Sequence, residues 1–254
     1  MVNVVSSLLV LTQFLGFIAE KGFGQGFADA YLSVGDYNVI SIDWGDLESW
    51  ANYPAAASRT RPVGEHAANL VKILSDFGLF DNIHVVGHSL GAHVAGFLAK
   101  KVQEMGLGKL QRVTGLDPAQ PFFDIAGPKE RIDKDDADFV QIVHTNSGMI
   151  WDGCLSIKKS LGHVDIYPAG GVHQPGCVEA CIIPDIMCYN VSIEDLIKGG
   201  CSHSRANEYF QESIRAGTGG DQFLAWNCAS WEDFQAGNCC GEEVAVMGEW
   251  IDTG

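Results

Sequence analysis

A serine inside a Gly-x-Ser-x-Gly motif is the residue of this chain whose setting best suits nucleophilic chemistry. Ser89 lies in the pentapeptide GHSLG, which follows an apolar run at residues 83–86 and precedes a segment rich in small residues. This pattern predicts a strand, a tight turn and a helix, which is the context in which the motif exposes a serine hydroxyl. The flanking glycines let the strand and the helix approach closely, and the helix N-terminus directs free N–H groups at an oxyanion formed beside the serine.

Asp117 is the carboxylate best placed to assist such a serine. It directly follows the strand predicted at residues 110–116, and Pro118 ends that strand. The C-terminal ends of parallel strands form the edge of a sheet where active-site crevices lie. A carboxylate at this edge can orient the base that a nucleophilic serine requires. An Asp-Pro pair is equally typical of an ordinary turn, so the sequence alone leaves both interpretations open.

Four histidines follow Asp117 and are candidates for the base, namely His144, His163, His173 and His203. His144 ends a strand predicted at residues 139–144. His203 comes two residues after Cys201 and just before a helix predicted at residues 207–216. Residue spacing alone does not separate His203 from the other three histidines.

The elements that would position these residues alternate between strands and helices. Strands are predicted within residues 36–44 and at 83–86, 110–116 and 139–144, and helices from Pro62 to about Gly78, after Ser89 and at 207–216. This order predicts right-handed crossovers and a mainly parallel sheet in an α/β fold. The 254 residues contain no repeat and no clear linker, so a single domain over residues 1–254 is expected.

Residues 1–19 are apolar and allow two interpretations. One is a secretory signal peptide, although no basic residue precedes the apolar run. The other is a core strand over residues 4–14. A transmembrane span is the least favoured reading, because Gln13 and two serines interrupt a run that is barely long enough.

Composition and charge exclude several classes of function. The chain is 46% hydrophobic and 19% charged, which is typical of a globular protein with a sizeable core. Acidic residues outnumber basic ones 32 to 16, and the net charge of −16 argues against binding nucleic acid or docking electrostatically on anionic membranes. All eight cysteines lie after residue 153 without zinc or haem spacing, which indicates disulfides and an oxidising compartment.

Seven ordered segments span most of the chain from Asp36 onward. They are NVISIDW, VVGHSLGAHVAGF, TGLDPAQPFF, FVQIVHTN, GHVDIYPAGG, QPGC and CSHSRANEYF. This set resembles the catalytic domain of the pancreatic-lipase family, and most of all its single-domain arthropod members. The resemblance implies an α/β-hydrolase fold, a mainly parallel sheet with flanking helices and a disulfide-anchored lid. It also implies that Ser89 is the nucleophile, Asp117 the orienting carboxylate and His203 the base, with His144 in a structural role.

The oxyanion hole that the resemblance implies uses the N–H of Leu90 and a second N–H from an aromatic residue near the N-terminus. Phe17 can supply the second donor, but the histidine that precedes the family's Gly-aromatic turn is missing here. The family also has residues before this turn that the sequence lacks. We therefore expect an incomplete or altered N-terminus whose apolar run forms a core strand, since cleavage after residue 19 would remove Phe17.

The resemblance further implies two disulfides, Cys177–Cys201 and Cys228–Cys239. The first would anchor a lid at about residues 177–201, whose length matches triacylglycerol lipases rather than the shorter lid of phospholipase A1 members. A bridge between Cys181 and Cys188 inside the lid is plausible, and Asn190 begins an N-glycosylation sequon there. The pairing of Cys154 and Cys240 stays open.

A structural calcium site is also implied by the resemblance. Asp133 and Asp136 would supply carboxylate oxygens, and Pro128 and Arg131 would supply backbone carbonyls. A solvated acidic loop is an equally good interpretation of this segment. The hydrolytic chemistry itself requires no metal or other cofactor.

The function expected from this sequence is a secreted serine esterase that cleaves fatty-acyl esters of acylglycerols at an oil–water or membrane interface. A phospholipase A1 on the same scaffold is the nearest alternative, and a non-catalytic lipid-binding yolk-type protein is a more distant one. No C-terminal β-sandwich domain is expected after Gly254, and a colipase-like partner is therefore unsupported.

Overall fold

A parallel sheet of six strands organises the part of the chain that the structure describes. This computed structural model describes residues 8–13, 23–44, 52–78, 82–149, 153–177, 200–217, 220–239, 241 and 244–254. The sheet contains β1 (Leu8–Gln13), β2 (Asn38–Ile42), β3 (Ile83–His88), β4 (Leu110–Leu116), β5 (Ala137–Val143) and β6 (Val164–Ile166). A separate antiparallel hairpin contains β7 (Phe223–Trp226) and β8 (Val244–Met247). The α-helices of the described residues are α1 (Phe23–Val34), α2 (Tyr53–Asp76), α3 (Leu90–Glu104), α4 (Cys201–Ala216) and α5 (Trp231–Gln235).

The strand order places Ser89 at the point where the sheet changes its direction of growth. The order is β2-β1-β3-β4-β5-β6, and every neighbouring pair is parallel. The chain forms β1, then β2 on one side of it at the edge of the sheet. It then crosses to form β3 on the other side of β1, and β4, β5 and β6 follow in order toward the opposite edge. Ligand crevices form at the C-terminal ends of strands at such a switch point. Ser89 directly follows β3, which borders this point.

Two hydrophobic clusters cover opposite faces of the sheet. Val85 belongs to a cluster with side chains of α2 and α3, whereas Val86 belongs to a cluster with side chains of α1 and α4. Successive strand residues point to opposite faces of the sheet. A strand that is buried on both faces therefore has an uninterrupted run of apolar residues. This layered arrangement is the α/β-hydrolase architecture that the sequence predicts.

Helix α2 begins nine residues earlier than the sequence predicts, at Tyr53 instead of Pro62. The side chain of Asn52 caps the helix by accepting the N–H of Ala55 at 3.4 Å. Pro62 lies inside the helix, where its missing N–H deprives the Ser58 carbonyl of a helical partner. Ser58 is exposed, so solvent can take the place of that donor.

Helix α4 also begins earlier than predicted, at Cys201 instead of residue 207. Gly200, with a φ of 67°, lies at the N-cap position and lets the chain turn into the helix. His203 therefore lies in the first turn of α4 and not before the helix. The backbone of a helical turn fixes the direction of this side chain more firmly than a loop would.

Helices α1 and α5, strand β6 and the β7–β8 hairpin were not predicted from the sequence. In α1, Phe27, Ala30 and Tyr31 are buried at helical spacing and Gly35 follows the helix, so an amphipathic pattern was present. Strand β1 agrees with the core-strand interpretation, and the other residues of segment 1–19 lie outside the described part. Within the described ranges, no helix is both long and apolar enough to cross a membrane.

Candidate active site

Ser89 occupies a strained turn between β3 and α3. Its φ of 56° and ψ of −123° lie outside the regions that residues with a side chain ordinarily adopt. The Ser89 N–H donates to the carbonyl oxygen of Leu116 at 3.0 Å, which ties the turn to the end of β4. A Cβ atom on Gly87 would approach the carbonyl oxygen of Gly91 to 2.2 Å, so this flank of the motif has room for glycine alone.

Asp117 follows β4 and is fully buried. Its φ of 45° turns the chain sharply, and its N–H donates to the carbonyl oxygen of Val143 at 2.7 Å. One carboxylate oxygen accepts the backbone N–H groups of Thr145 and Asn146 at 2.7 and 3.0 Å. The same oxygen accepts the hydroxyl of Ser156 at 2.6 Å. The residues that follow β5 therefore form a cradle of neutral donors for this carboxylate.

His203 contacts the second carboxylate oxygen of Asp117, with 2.6 Å between Nδ1 and Oδ2. A carboxylate accepts hydrogen bonds and donates none, so Nδ1 carries the proton. In the neutral imidazole this leaves the lone pair on Nε2, the nitrogen that a general base would use. Asp117 and His203 are 86 residues apart in the chain, and the structure brings them together at the C-terminal edge of the sheet.

The electrostatics of this pair favour a charged Asp117. Burial alone would raise the pKa of the Asp117 carboxyl, but the hydrogen bond from His203 opposes that effect. The positive charge of His203 and the hydrogen bonds from Ser156 and Asn146 act in the same direction, and the pKa lies below its usual value. Asp117 is therefore an anion at neutral pH and can stabilise an imidazolium at His203.

His88, the residue before Ser89, connects the serine strand to the helix that carries His203. Its Nε2 donates to the backbone carbonyl of His203 at 3.0 Å, and the centroids of the two imidazole rings are 4.5 Å apart. Burial, followed by the charge of His203, lowers the pKa of His88 to about 3. His88 is thus neutral at physiological pH, and its hydrogen bond connects the His203 backbone to the last residue of β3.

Two other connections fix the start of α4. The disulfide Cys177–Cys201 joins its first residue to the end of the preceding described segment. The N–H of Gln174 donates to the hydroxyl of Ser202 at 2.7 Å. The Gln174 side chain also donates to the carbonyl oxygen of Thr145 at 2.9 Å. The base candidate and the cradle of Asp117 are therefore attached to the same short loop.

Both disulfides that the resemblance implies are present, Cys177–Cys201 and Cys228–Cys239. The second joins the residues after β7 to the end of the segment that contains α5. Cys154 is buried. The lid interior with Cys181, Cys188 and Asn190, the oxyanion candidate Phe17, and Cys240 lie outside the described residues.

Leu90 opens α3 directly after Ser89 and is fully buried. The first N–H groups of a helix have no acceptor within the helix, and they point out along its axis with the positive end of the helix dipole. The N–H of Leu90 is therefore suited to bind an oxyanion next to Ser89.

The His144 ring makes structural contacts. Its Nδ1 bonds to the carbonyl oxygen of Ile157 and its Nε2 to a carboxylate oxygen of Asp165, each at 2.8 Å. The ring stacks on Tyr167 with 4.3 Å between centroids. Both ring nitrogens are used in these bonds, so His144 is unsuited to act as the base.

The residues proposed to hold calcium are bonded to cations of the chain itself. The Lys100 ammonium donates to the carbonyl oxygen of Arg131 at 2.8 Å and to the carboxylate of Asp136. The Arg131 guanidinium donates to Asp133 at 3.1 Å. In the described part of the chain, no three His, Cys, Asp or Glu side chains form a group that could hold a metal ion. These residues do not fit a bound calcium ion.

The residues that support Asp117 were not predicted. Thr145 and Asn146 had a usable signal, because they lie two and three residues after the end of β5, the strand paired with β4. Ser156 had none, since it lies in a loop 39 residues from Asp117 and reaches it through the tertiary fold alone.

The site combines a serine at a strained strand-to-helix turn with a buried aspartate that follows β4. A histidine is hydrogen-bonded to this aspartate. On this fold, the arrangement is that of an α/β-hydrolase with a serine-hydrolase type of site. Comparison with known proteins then gives the family. The lipase family model matches residues 9–253, so the chain belongs to the lipase family.

Three relatives illustrate this membership. Pancreatic lipase-related protein 2 of Bos taurus is 38% identical over 231 residues, which cover 88% of this chain and 47% of that protein. Lipase member H-B of Xenopus laevis is 38% identical over 210 residues, covering 82% and 41%. Pancreatic triacylglycerol lipase of Mus musculus is 35% identical over 251 residues, covering 93% and 51%. The chain thus spans about half the length of these relatives.

Proposed function

We propose that this chain is a secreted serine carboxylic-ester hydrolase that cleaves fatty-acyl esters of acylglycerols. The observation that carries the proposal is the 2.6 Å contact between His203 Nδ1 and the buried Asp117 carboxylate, beside the strained Ser89 turn. In this role Ser89 is the nucleophile, His203 the general base and Asp117 the carboxylate that orients the base. Membership of the lipase family supports an ester substrate.

The proposed reaction proceeds through an acyl-enzyme. His203 Nε2 takes the proton of the Ser89 hydroxyl while Oγ attacks the ester carbonyl carbon, and the carbonyl electron pair moves onto oxygen. The N–H of Leu90 binds this oxyanion, with the N–H of Phe17 as the proposed second donor. When the intermediate collapses, the ester C–O bond breaks and His203 returns the proton to the leaving alcohol. Water activated by His203 then releases the fatty acid in the same two steps.

Asp117 contributes by remaining charged throughout the cycle. Its donors from Thr145, Asn146 and Ser156 keep it an anion in a fully buried position. An anion hydrogen-bonded to Nδ1 stabilises the imidazolium that forms at His203 during each attack. The chemistry needs no metal ion and no organic cofactor.

Acylglycerols are the proposed substrates for two reasons. A relative that matches 93% of the chain is named a triacylglycerol lipase. The loop after Asp117, at the same edge of the sheet, exposes Phe122 and Ile125, at 57% and 88% of their maximal surface. Exposed apolar side chains beside a site favour contact with a lipid surface, and the net charge of −16 disfavours an electrostatic contact with anionic lipids. A lid at about residues 177–201 would add to this surface.

Secretion and a single-domain organisation over residues 1–254 belong to the same proposal. The disulfides Cys177–Cys201 and Cys228–Cys239 support an oxidising compartment. Glycosylation at Asn190 would be compatible with that route.

Hydrolysis assays with two substrates test the proposal. Purified protein is given emulsified triolein or phosphatidylcholine, and fatty-acid release is compared with that of Ser89→Ala. We expect release from triolein that Ser89→Ala abolishes. Preferential release from phosphatidylcholine would favour a phospholipase A1. No release from either substrate by a correctly folded protein would contradict the proposal and favour a lipid-binding protein without turnover.

A further inference from the structure

One face of α3 contacts the loop of residues 127–136. His93, Gly96 and Lys100 lie three and four residues apart, so they share this face of the helix. His93 accepts the N–H of Ile132 through Nδ1 at 3.3 Å. A Cβ atom on Gly96 would come within 2.7 Å of the Ile132 Cα atom, so the loop backbone lies directly on the helix.

Lys100 completes this contact with its ammonium group. The ammonium donates to the Arg131 carbonyl oxygen at 2.8 Å and to one carboxylate oxygen of Asp136. The second Asp136 oxygen accepts the N–H of Asp133 at 2.9 Å, which closes a short turn of 3₁₀ helix at Lys134–Asp136. The side chains of Lys100 and Asp136 are 18% and 3% exposed. The cation and the carboxylate are therefore both largely removed from water.

The charges of this cluster balance without a metal ion. Asp133 and Asp136 carry two negative charges, and Lys100 and Arg131 carry two positive charges. Calcium needs six to eight oxygen ligands at about 2.3–2.6 Å, supplied mainly by carboxylates and carbonyls. The Arg131 carbonyl and the Asp136 carboxylate already bind the ammonium, and the Asp133 carboxylate already binds a guanidinium. A calcium ion would have to displace both cations of the chain.

We propose that the Lys100 ammonium takes the place of a calcium ion and holds the loop of residues 127–136 on α3. An ammonium offers three N–H donors and a single positive charge, and two of those donors are used by a carbonyl and a carboxylate here. The loop is thereby fixed by a covalently attached cation whose binding does not depend on the calcium concentration. This inference concerns stability and holds independently of the proposed catalytic function.

Thermal unfolding of three proteins at pH 8 tests the inference. They are the wild type, Lys100→Met, and Lys101→Met as the matched control, because Lys101 pairs with Glu104 on the exposed side of the same helix. Each protein is treated with EDTA, dialysed, and measured with no divalent ion, with calcium chloride, or with magnesium chloride at equal ionic strength. Isothermal titration with calcium chloride accompanies each measurement.

We expect the Tm of the wild type to be the same in all three solutions, with no calcium heat in the titration. Lys100→Met leaves the Asp136 carboxylate without its cation, and its Tm should fall by roughly 5–10 °C relative to Lys101→Met. Calcium, and magnesium less well, should restore part of that loss, because the vacated position is lined by hard oxygen ligands.

Three results would overturn the inference. One is a wild-type Tm that falls after EDTA treatment and recovers with calcium, or a stoichiometric calcium titration of the wild type. The second is a Lys100→Met Tm equal to that of Lys101→Met. The third is a destabilised Lys100→Met that calcium does not rescue, which would show that the ammonium does not occupy a calcium position. If Lys100→Met does not fold, the wild-type measurements alone decide the question.

Discussion

Asp117 and Glu249, one fully buried and one largely buried, lie near opposite ends of the neighbouring strands β3 and β4 and are stabilised in different ways. Asp117 follows the C-terminal end of β4 and is surrounded by neutral donors and one imidazole. Glu249 contacts the first half of these strands, where it accepts the hydroxyl of Tyr31 at 2.6 Å and pairs with Arg112 at 3.4 Å. Arg112 also donates to the Glu249 backbone carbonyl at 2.7 Å.

The partners of the two carboxylates explain what each one does. For Glu249, burial would raise the pKa, but the charges of His84 and Arg112 and the hydrogen bond from Tyr31 lower it to about 2. Burial lowers the pKa of His84 itself to about 4, so Arg112 is the cation that remains at neutral pH. The permanent Arg112 cation next to Glu249 stabilises the fold, whereas the imidazole next to Asp117 keeps Nε2 available for the proposed role of base.

Backbone strain differs in the same way between the two ends. Ser89 and Asp117 have φ angles of 56° and 45°, whereas His84 and Arg112 are paired residues in the first half of regular strands. Residues other than glycine keep a strained backbone conformation only where the surrounding structure holds them in it, and such residues cluster at functional sites. The comparison therefore predicts that substitutions at one end reduce turnover and that substitutions at the other end reduce stability.

The largest expected effect is on turnover, from Asp117→Asn. The amide keeps the size of the carboxylate and can still accept from Thr145 and Ser156, but its NH₂ group would face His203 Nδ1 and favour the wrong tautomer. We expect kcat for ester hydrolysis to fall by about 10⁴-fold. Steady-state kinetics measure this loss, and a Tm near that of the wild type is the control. A kcat within tenfold of the wild type would contradict the role given to Asp117.

The second effect is on stability, from Glu249→Gln. This change leaves the largely buried Arg112 guanidinium without its carboxylate, which should lower the free energy of unfolding by about 3 kcal/mol. Urea unfolding at pH 7 measures it. The kcat of the folded variant should match the wild type, because Glu249 does not contact the site. A large loss of kcat with unchanged stability would contradict the prediction that substitutions at this end of the strands reduce stability and leave turnover unchanged.

The same substitution predicts a dependence on pH. The folded pKa of Glu249 is about 2 and its ordinary value is 4.5, so the charged form stabilises the fold above about pH 4.5. That contribution is lost as the pH falls toward 2. The difference in unfolding free energy between the wild type and Glu249→Gln should therefore be constant from pH 7 to 5 and narrow below pH 4.5. A difference that grows on acidification would contradict the lowered pKa.

The smallest expected effect comes from His88, which joins the two parts of the site through one hydrogen bond. His88→Leu removes the donor to the His203 carbonyl, whereas His88→Gln keeps an N–H donor. We expect kcat to fall by about tenfold in His88→Leu, the equivalent of one hydrogen bond, with KM little changed. His88→Gln should recover most of this loss. Equal kcat losses in both variants would show that His88 acts by packing alone.

The parts of the site that local sequence encodes were predictable, and the parts that the tertiary fold assembles were not. Ser89 was predictable because its motif, strand and helix are contiguous, and Asp117 because it ends a recognisable strand. His203 could be selected from four histidines by family resemblance, since nothing in its neighbours encodes the contact with Asp117. Ser156 and Glu249 could not be predicted, because their partners lie 39 and 137 residues away.

The boundaries of elements show the same limit. Pro62 is typical of a helix start, but the exposed Ser58 carbonyl tolerates it inside α2 and the cap at Asn52 decides the true start. The loop of residues 127–136 resembles a calcium loop, yet its ligands are occupied by Lys100, which the chain places on a different element. In both cases contacts with other residues, and not the local pattern, determined the outcome.

Labelling with a fluorophosphonate probe tests the central claim most directly. The probe reacts with a serine only when a neighbouring base activates it, and peptide mass spectrometry identifies the modified residue. We predict modification of Ser89 in the wild type, none in Ser89→Ala, and greatly slowed modification in His203→Ala and Asp117→Asn. Modification of another serine, or equal rates in the wild type and His203→Ala, would contradict the assignment of Ser89, Asp117 and His203 as one catalytic unit.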